Sequence, residues 1–373
     1  MSGSFRLSST PAVLHKKLFF LFTALLLSGQ FKAQPRLYDF RYGVGFAIPH
    51  RAIMKGLIKE YVQMGELLLL NQGKTQWEKN NRYLKWGVNC MFTTLGNKKV
   101  FGNAMGFLPY MEYNNFSRKN LSAHFGLGIG AAYVPKSFNI AENHTNIAVS
   151  SNINGAVCFR FTVKASITDY IHWNGGLGFT HFSNGSFKLP NLGINTFTLS
   201  TGFTIGHSEK ILPQRKAIRD SLKSTNSKKW KPIVFLNSGL KEVYPVLGKK
   251  YVVITGSAGV YRWLLARAMV GAQLDAFHDT AIRHHLRSDD QPDNDNQQIL
   301  QLGISAFLEY KLNRFSFPIQ LGGYVYDEYK ANGSIYTRLG IRFAIYKNLV
   351  ASFILKSHYA KADYLETGLG WRW

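Results

Sequence analysis

Cysteine is scarce in this sequence, and long apolar segments are missing beyond its N-terminal region. Only two of the 373 residues are cysteine. Cys90 and Cys158 fall on separate predicted strands, one facing lipid and the other a lumen, so a disulfide bond is not expected, and no Cys/His spacing is typical of a zinc site. After residue 33, no apolar run approaches the roughly 20 residues that a membrane helix needs. These absences exclude a disulfide-stabilised scaffold and a bundle of membrane helices.

Negative charge is scarce as well. The chain has 21 acidic residues against 45 basic ones, which gives a formal net charge of +24. Such an excess indicates an anionic partner. Nucleic acid is the usual candidate, but the charges are scattered singly and form no basic helix or RNA-binding signature. We expect no nucleic-acid partner, because the phosphates and acidic sugars of lipopolysaccharide suit the same charge better.

The N-terminal region has the composition of an export signal. Lys16 and Lys17 precede the apolar run Leu18–Leu27, and Ala33 offers a small residue for cleavage. The run is too short to span a membrane, which is typical of a cleaved secretory signal. The sequence therefore predicts a signal peptide over residues 1–33 and an exported mature chain.

Most of the remaining chain alternates between apolar and polar residues. The segment from Ile153 to Ile167 is a clear case: Val157, Phe159 and Phe161 share one face of a strand, and Arg160 and Lys164 share the other. A soluble sandwich would hide its apolar face, whereas a barrel in lipid turns that face outward and keeps a polar interior. The pattern therefore favours a membrane barrel.

Segments of this kind recur to the last residue, Trp373, and counting them gives roughly sixteen strands. A terminal aromatic strand resembles the assembly signal of outer-membrane barrels. We predict an all-β fold, one closed antiparallel transmembrane β-barrel of the outer-membrane type, since closure removes exposed edge strands. Residues 34–208 and 231–373 form its two parts, and 209–230 form a periplasmic connection. About fourteen strands, or an eight-stranded catalytic barrel with an appended sheet, stay open as alternatives.

The stretch from Trp173 to Ile205 contains two alternating runs joined by a turn, and it carries the candidate catalytic residues. His181, Ser183 and Asn195 share the face of its large apolar residues, near the turn. Residues i and i+2 of a strand lie roughly 6.5–7 Å apart, which an imidazole can bridge to a serine hydroxyl. If the hairpin is centred near Leu189, Ser183 faces Asn195, and His181 is the diagonal neighbour of Asn195. A nucleophile, a base and an orienting amide predict a serine esterase with an apolar substrate. The alternative is a non-catalytic role, in which these polar residues mark the point where a strand leaves the membrane.

The segments HFSNG, which begins at His181, and PNLGIN, which ends at Asn195, resemble the motif of the outer-membrane lipid A 3-O-deacylases of the PagL type. These are eight-stranded barrels that cut an ester-linked acyl chain from lipid A. The resemblance implies that His181 is the base, Ser183 the nucleophile, and Asn184 and Asn191 the oxyanion site. The family typically has Glu at the position of Asn195, so this chain departs from it there.

That departure matches a second family. Outer-membrane phospholipase A has a His-x-Ser-Asn-Gly run with an Asn at the same distance from the His. It lacks the PNxG turn, however, and has a calcium-binding Arg where this chain has Ser186. The flanking strands from Leu84 to His207 also resemble PagL-type chains, which favours the deacylase family.

One loop contains many potential metal ligands. Carboxylate-rich loops can bind calcium, but the spacing here fits no EF-hand, so a solvated acidic loop is the preferred interpretation. We predict no metal and no cofactor, with calcium left open. The residues are His284, His285, Asp289, Asp290, Asp293 and Asp295.

Taken together, the sequence predicts an outer-membrane esterase of a Gram-negative bacterium that removes an ester-linked acyl chain from lipid A by a Ser-His-Asn mechanism. Two alternatives remain: an outer-membrane phospholipase A, and a non-catalytic porin or scaffold barrel.

Overall fold

A computed structural model of the protein describes residues 37–49, 51–72, 84–118, 120–206, 229–265, 267–288, 299–312, 314–329, 332–359 and 361–373. The predicted signal peptide and nearly all of the predicted periplasmic connection lie outside these residues.

In these described residues, sixteen antiparallel strands form two closed barrels of eight. The first barrel also has a single-turn helix, α1 (Ala52–Lys55), between its first two strands. Its strands are β1 (Leu37–Ile48), β2 (Val62–Gln72), β3 (Lys85–Thr94), β4 (Asn103–Arg118), β5 (Leu121–Tyr133), β6 (Ile153–Ser166), β7 (Ile171–Ser183) and β8 (Ile194–Ile205).

The second barrel contains the other eight strands and the helix α2 (Ala281–Ser288), whose apolar side packs at one rim with Ile299 and Tyr329. No helix in the described part of the chain is both long and apolar enough to cross a membrane. The strands are β9 (Lys231–Glu242), β10 (Lys250–Trp263), β11 (Ala268–Asp279), β12 (Leu300–Leu312), β13 (Phe315–Tyr326), β14 (Ile335–Tyr346), β15 (Leu349–His358) and β16 (Lys361–Arg372).

The all-β class, the antiparallel closure and the number of strands are confirmed, but the expectation of one closed barrel is wrong. β1 pairs with β8 from Tyr38↔Ile205 to Ile48↔Asn195, and β9 pairs with β16. In each half of the chain, the first and last strands thus pair with each other. No unpaired strand edge is left through which the two halves could join into one barrel. Of the two alternatives, the eight-stranded barrel with an appended sheet is closer to the structure, in which the appended sheet is a second closed barrel.

The connections differ in length between the two ends of each barrel. We call the end at which β7 finishes and β8 begins the upper rim; it carries the loops 95–102, 134–152 and 184–193. The described turn at the opposite, lower rim, 167–170, is short. The lower rim of the second barrel likewise has the short turn 347–348. Long loops at one end and short turns at the other are typical of outer-membrane barrels, with the long loops outside the cell.

Charged side chains occupy the interior of the first barrel. The Arg41 guanidinium donates to Asp39 at 2.8 Å and to Glu112 at 3.2 Å, and the Lys164 ammonium lies 2.8 Å from Asp39 and 2.9 Å from Glu112. A second group joins Arg160 to Glu66 at 2.6 Å. The outer face is apolar, with Tyr42, Leu199 and Phe203 at least half exposed. This is the polarity expected of a barrel in lipid, as the sequence predicts.

The interior of the second barrel is built in the same way. The Arg338 guanidinium pairs with Asp275 at 3.0 Å and also with Glu366. Nearer the upper rim, Lys241 bonds to Asp279 at 2.5 Å and to Asp363 at 2.8 Å. An eight-stranded barrel is just wide enough for such side chains to fill it, so both lumens are packed rather than open.

The two cysteines are free, as predicted. Cys158 is buried in the lumen of the first barrel, and Cys90 is half-buried on its outer face.

Candidate active site

His181 and Asn195 meet on the outer face of the first barrel at its upper rim. They are direct partners across β7 and β8, and His181 Nδ1 lies 2.6 Å from Asn195 Oδ1. An amide oxygen only accepts hydrogen bonds, so this contact assigns the proton to Nδ1 and leaves the lone pair on Nε2. Ser183 follows two residues further along β7, and its side chain points to the same face.

The predicted hairpin register is wrong by two residues, which leaves every side chain on its predicted face. The strands are centred on Lys188 instead of Leu189, so His181 rather than Ser183 faces Asn195. The turn contains ten residues, 184–193, and the register of a long turn is not fixed by a short turn type. The observed register is the better one for orienting an imidazole, because the amide reaches it directly across the strands.

The residues between the site positions anchor the two strands from inside. Phe182 and Ile194 alternate with the outward-facing His181, Ser183 and Asn195, and both are fully buried. They belong to an apolar cluster that fills the barrel just below the upper rim. The polar site therefore lies directly above a buried apolar cluster.

Gly193 supports the imidazole and was not recognised from the sequence as a site residue. Its φ is +78°, and a Cβ placed on it would lie 2.8 Å from His181 Cε1. Any other residue would be strained in its backbone and would push the ring away. The sequence signal was the glycine of the PNLGIN segment, but a turn glycine does not by itself show what packs against it.

The loop 184–193 brings Asn184 and Asn191 together. The backbone N–H of Asn184 donates to Asn191 Oδ1 at 3.0 Å. The side-chain Nδ2 of Asn184 donates to Ser150 Oγ at 3.0 Å and to the Lys188 carbonyl at 2.8 Å, which uses both of its hydrogens. Within the described residues, no hydrogen bond uses the Nδ2 of Asn191. Of the two predicted oxyanion donors, Asn191 has the available N–H group, and Asn184 holds the loop.

The neighbouring loop 134–152 supports the same segment. The Leu192 N–H donates to the Ile147 carbonyl at 3.2 Å, and the Gly193 N–H donates to the Ala148 carbonyl at 2.9 Å. Ser150 is fully buried and bonds to the Lys188 carbonyl at 2.6 Å. These contacts fix the C-terminal half of the loop, where Asn191 lies.

A second serine–histidine pair lies inside the first barrel near its lower rim. Ser122 Oγ is 2.8 Å from His124 Nε2, and His124 Nδ1 is 3.3 Å from Glu112. His124 is almost fully buried, and the Glu112 carboxylate is shared with Lys85 and Lys164. This pair belongs to the charge network that fills the lumen.

In the described part of the chain, no three His, Cys, Asp or Glu side chains are grouped as a metal site would require. His284 and His285 lie on α2, where the His285 ring stacks on Tyr329. The candidate calcium ligands Asp289, Asp290, Asp293 and Asp295 lie outside the described residues, so the calcium question stays a prediction.

Two family models match the chain, one for each barrel. Residues 68–204 match "Lipid A 3-O-deacylase (PagL)", and residues 230–373 match "Acyloxyacyl hydrolase, C-terminal domain". Together they cover most of the chain, and the first contains the whole candidate site. The chain belongs to the PagL family. Family and barrel architecture together indicate the outer membrane.

Solved structures that match the chain include two of low sequence identity and low structural similarity. The KdgM porin in complex with disordered oligogalacturonate is 8% identical, with 90% of this chain and 98% of that chain covered and a TM-score of 0.16. CdiB from Acinetobacter baumannii is 7% identical, with 91% and 60% covered and a TM-score of 0.19. Such scores carry no argument about the arrangement of this PagL-family chain. No curated protein matches it.

Proposed function

We propose that the protein is an outer-membrane esterase that removes an ester-linked acyl chain from lipid A. The observation that carries this proposal is the 2.6 Å contact between His181 and Asn195, with Ser183 beside them, on the lipid-facing side of the upper rim. An enzyme that acts on a membrane lipid needs its reactive groups on this side, whereas groups in the lumen would never meet the substrate.

In the proposed mechanism, Asn195 accepts a hydrogen bond from the N–H at His181 Nδ1, which places the lone pair on Nε2, the atom that acts as the base. Nε2 takes the proton of the Ser183 hydroxyl while Oγ bonds to the carbonyl carbon of the ester. The C–O bond to the sugar then breaks, and the imidazolium gives its proton to the departing sugar oxygen. Water, activated by the same imidazole, releases the fatty acid and restores Ser183.

Asn191 and nearby backbone N–H groups would stabilise the oxyanion that forms when the carbonyl is attacked. The hydrogen bond from the Asn184 N–H to Asn191 Oδ1 occupies the amide oxygen, so the Asn191 Nδ2 is the group that would donate to the oxyanion. In this proposal, Asn184 acts through Asn191 rather than on the substrate itself.

Phospholipase A activity is the second candidate, because the residue that orients His181 is Asn195 and not Glu. A neutral amide fixes the tautomer but lacks the charge that stabilises an imidazolium, so we expect a slower catalyst than a Glu version. The substrate, rather than the chemistry, distinguishes the two candidates.

The test is acyl release from purified lipid A and from phospholipid vesicles by the refolded protein. Ser183→Ala and His181→Ala should each lose activity by a factor on the order of 10⁶, because the members of a triad act as a unit. Ser151→Ala, a serine at the same rim outside the site, should behave as wild type. Release from phospholipid alone would favour the phospholipase. Equal release by wild type and Ser183→Ala would overturn the esterase.

A further inference from the structure

The loop between the proposed nucleophile and its oxyanion donor also contacts the second barrel. Ser186 Oγ donates to the Ala362 carbonyl at 2.9 Å, and the Glu242 N–H donates to the Ser186 carbonyl at 3.2 Å. The Lys250 ammonium lies 3.3 Å from the centroid of the Phe187 ring. These partners belong to β16, to the end of β9 and to the start of β10.

Packing at Gly185 is equally close. A Cβ at this position would lie 2.5 Å from Leu365 Cγ, on β16. Gly185 and Ser186 both have left-handed backbones, with φ of +63° and +64°. This conformation is unfavourable for a serine and persists only where the surroundings fix it. Here the surroundings are two backbone groups of the second barrel.

The loop is therefore held from two sides. Residues 184, 188, 192 and 193 bond to the first barrel or its loop 134–152, whereas residues 185–187 are held by the second barrel. The second set comes directly after Ser183 and Asn184 in the chain. A shift at Gly185 would move Asn184, whose N–H orients Asn191.

We infer that the second barrel is a positioning element of the hydrolytic site. Its β16 and the β9–β10 end hold residues 185–187, and so keep Ser183 and Asn191 at the spacing that the reaction needs. This inference rests on the proposed function of the first barrel and assigns to the second barrel a role in catalysis without any reacting group. The positioning residues are Leu365, on β16 of the second barrel, and Ser186, on the loop of the first barrel.

The experiment compares Leu365→Ala with Leu369→Ala. Leu369 faces the same side of β16 four residues further along, roughly 13 Å from Leu365, and its side chain is exposed. Small displacements of reacting groups cost one to two orders of magnitude in rate. For Leu365→Ala we expect kcat to fall on the order of tenfold with KM unchanged, and Leu369→Ala and Leu365→Met to match wild type.

Two further readouts separate positioning from folding. The loss should appear per folded molecule, counted from heat-modifiable gel mobility. Backbone hydrogen exchange in residues 184–193 should speed up in Leu365→Ala and not in Leu369→Ala. If Leu365→Ala fails to fold, Ser186→Ala, which removes the bond to Ala362, replaces it with the same expected loss.

The outcomes are distinct. Wild-type kcat and unchanged exchange in both Leu365→Ala and Ser186→Ala would overturn the positioning role and leave the esterase standing. Equal losses of kcat in Leu365→Ala and Leu369→Ala would also overturn it, because the effect would then not be specific to the loop. A wild-type protein that releases no acyl chain would remove the proposed function, and the positioning role with it.

Discussion

At the scale of single residues, the site depends on groups that prepare others for reaction. In the proposed mechanism, Asn195 fixes the tautomer of His181, Gly193 leaves room for the ring, and Asn184 orients Asn191. None of the three needs to touch the ester. Their substitution should therefore lower the rate of reaction while leaving lipid binding close to normal.

Asn191→Ala tests the oxyanion donor. Losing one such donor typically costs 10²–10³ in turnover, and we expect a loss on the order of 10² because backbone N–H groups remain. Acyl release at saturating lipid measures it. Asn139→Ala, an exposed asparagine on the loop 134–152, is the matched control. Undiminished turnover in Asn191→Ala would remove this residue from the mechanism.

Gly193→Ala tests the support beneath the imidazole. The added Cβ must displace the His181 ring or shift a backbone held at positive φ. We expect activity to fall on the order of 10²-fold, in keeping with the cost of displacing a catalytic group by about 1 Å. Gly56→Ala is the control, because Gly56 has a helical φ and no atom within 4 Å of the new methyl group. Similar activity in both variants would contradict the proposed packing.

At the scale of elements, β7 and β8 combine two functions through strict alternation. Their outward residues form the candidate site, and their inward residues, Phe182 and Ile194, hold the strands to the apolar cluster. Substitutions in this apolar cluster should thus lower the stability of the protein as well as its activity.

Phe182→Ala should lower the free energy of unfolding by about 3 kcal/mol, because it removes a fully buried aromatic ring and leaves a cavity. Urea unfolding of the refolded protein in lipid vesicles measures this change. Phe203→Ala, on the outer face of β8, leaves no internal cavity and should cost less than half as much. The interpretation fails if the two variants are equally stable.

At the scale of the whole molecule, the packed lumens bear on whether the protein can act as a channel. In the described residues, Arg41, Lys164 and their carboxylate partners cross the first barrel, and Arg338 with Asp275 does so in the second. We expect no stable ion conductance after insertion into planar bilayers, where a porin serves as the positive control. Reproducible channel steps would contradict the packed lumens and revive the porin alternative.

Much of this architecture could be predicted from the sequence, because the pattern of alternation reports which face of a strand meets lipid. β6 spans Ile153–Ser166, within one residue of the predicted segment from Ile153 to Ile167, and its Arg160 and Lys164 point inward as expected. The face of His181 and Ser183 was predictable for the same reason. The resemblance of two short segments further identified the family that the two domain models then showed.

The division into two barrels could not be predicted in this way. Alternation is the same in one barrel or two, and only the non-local pairing of β1 with β8 decides between them. The hairpin register and the contact of Leu365 with Gly185 could not be predicted either, since both depend on the path of the ten-residue loop. Sequence periodicity shows which face of a strand each side chain lies on, but not which distant segments of the chain that strand contacts.

The position of the site on the outside of the barrel has a kinetic consequence. In the proposed function, a lipid substrate reaches His181 and Ser183 by diffusing sideways in the plane of the membrane, so the concentration that governs the rate is the number of substrate lipids per unit of surface. Adding inert lipid or detergent at a constant amount of substrate should slow the enzyme simply by spreading its substrate over a larger area. By the same proposal, the released fatty acid should re-enter the same layer and compete with fresh substrate for the outer face of the barrel.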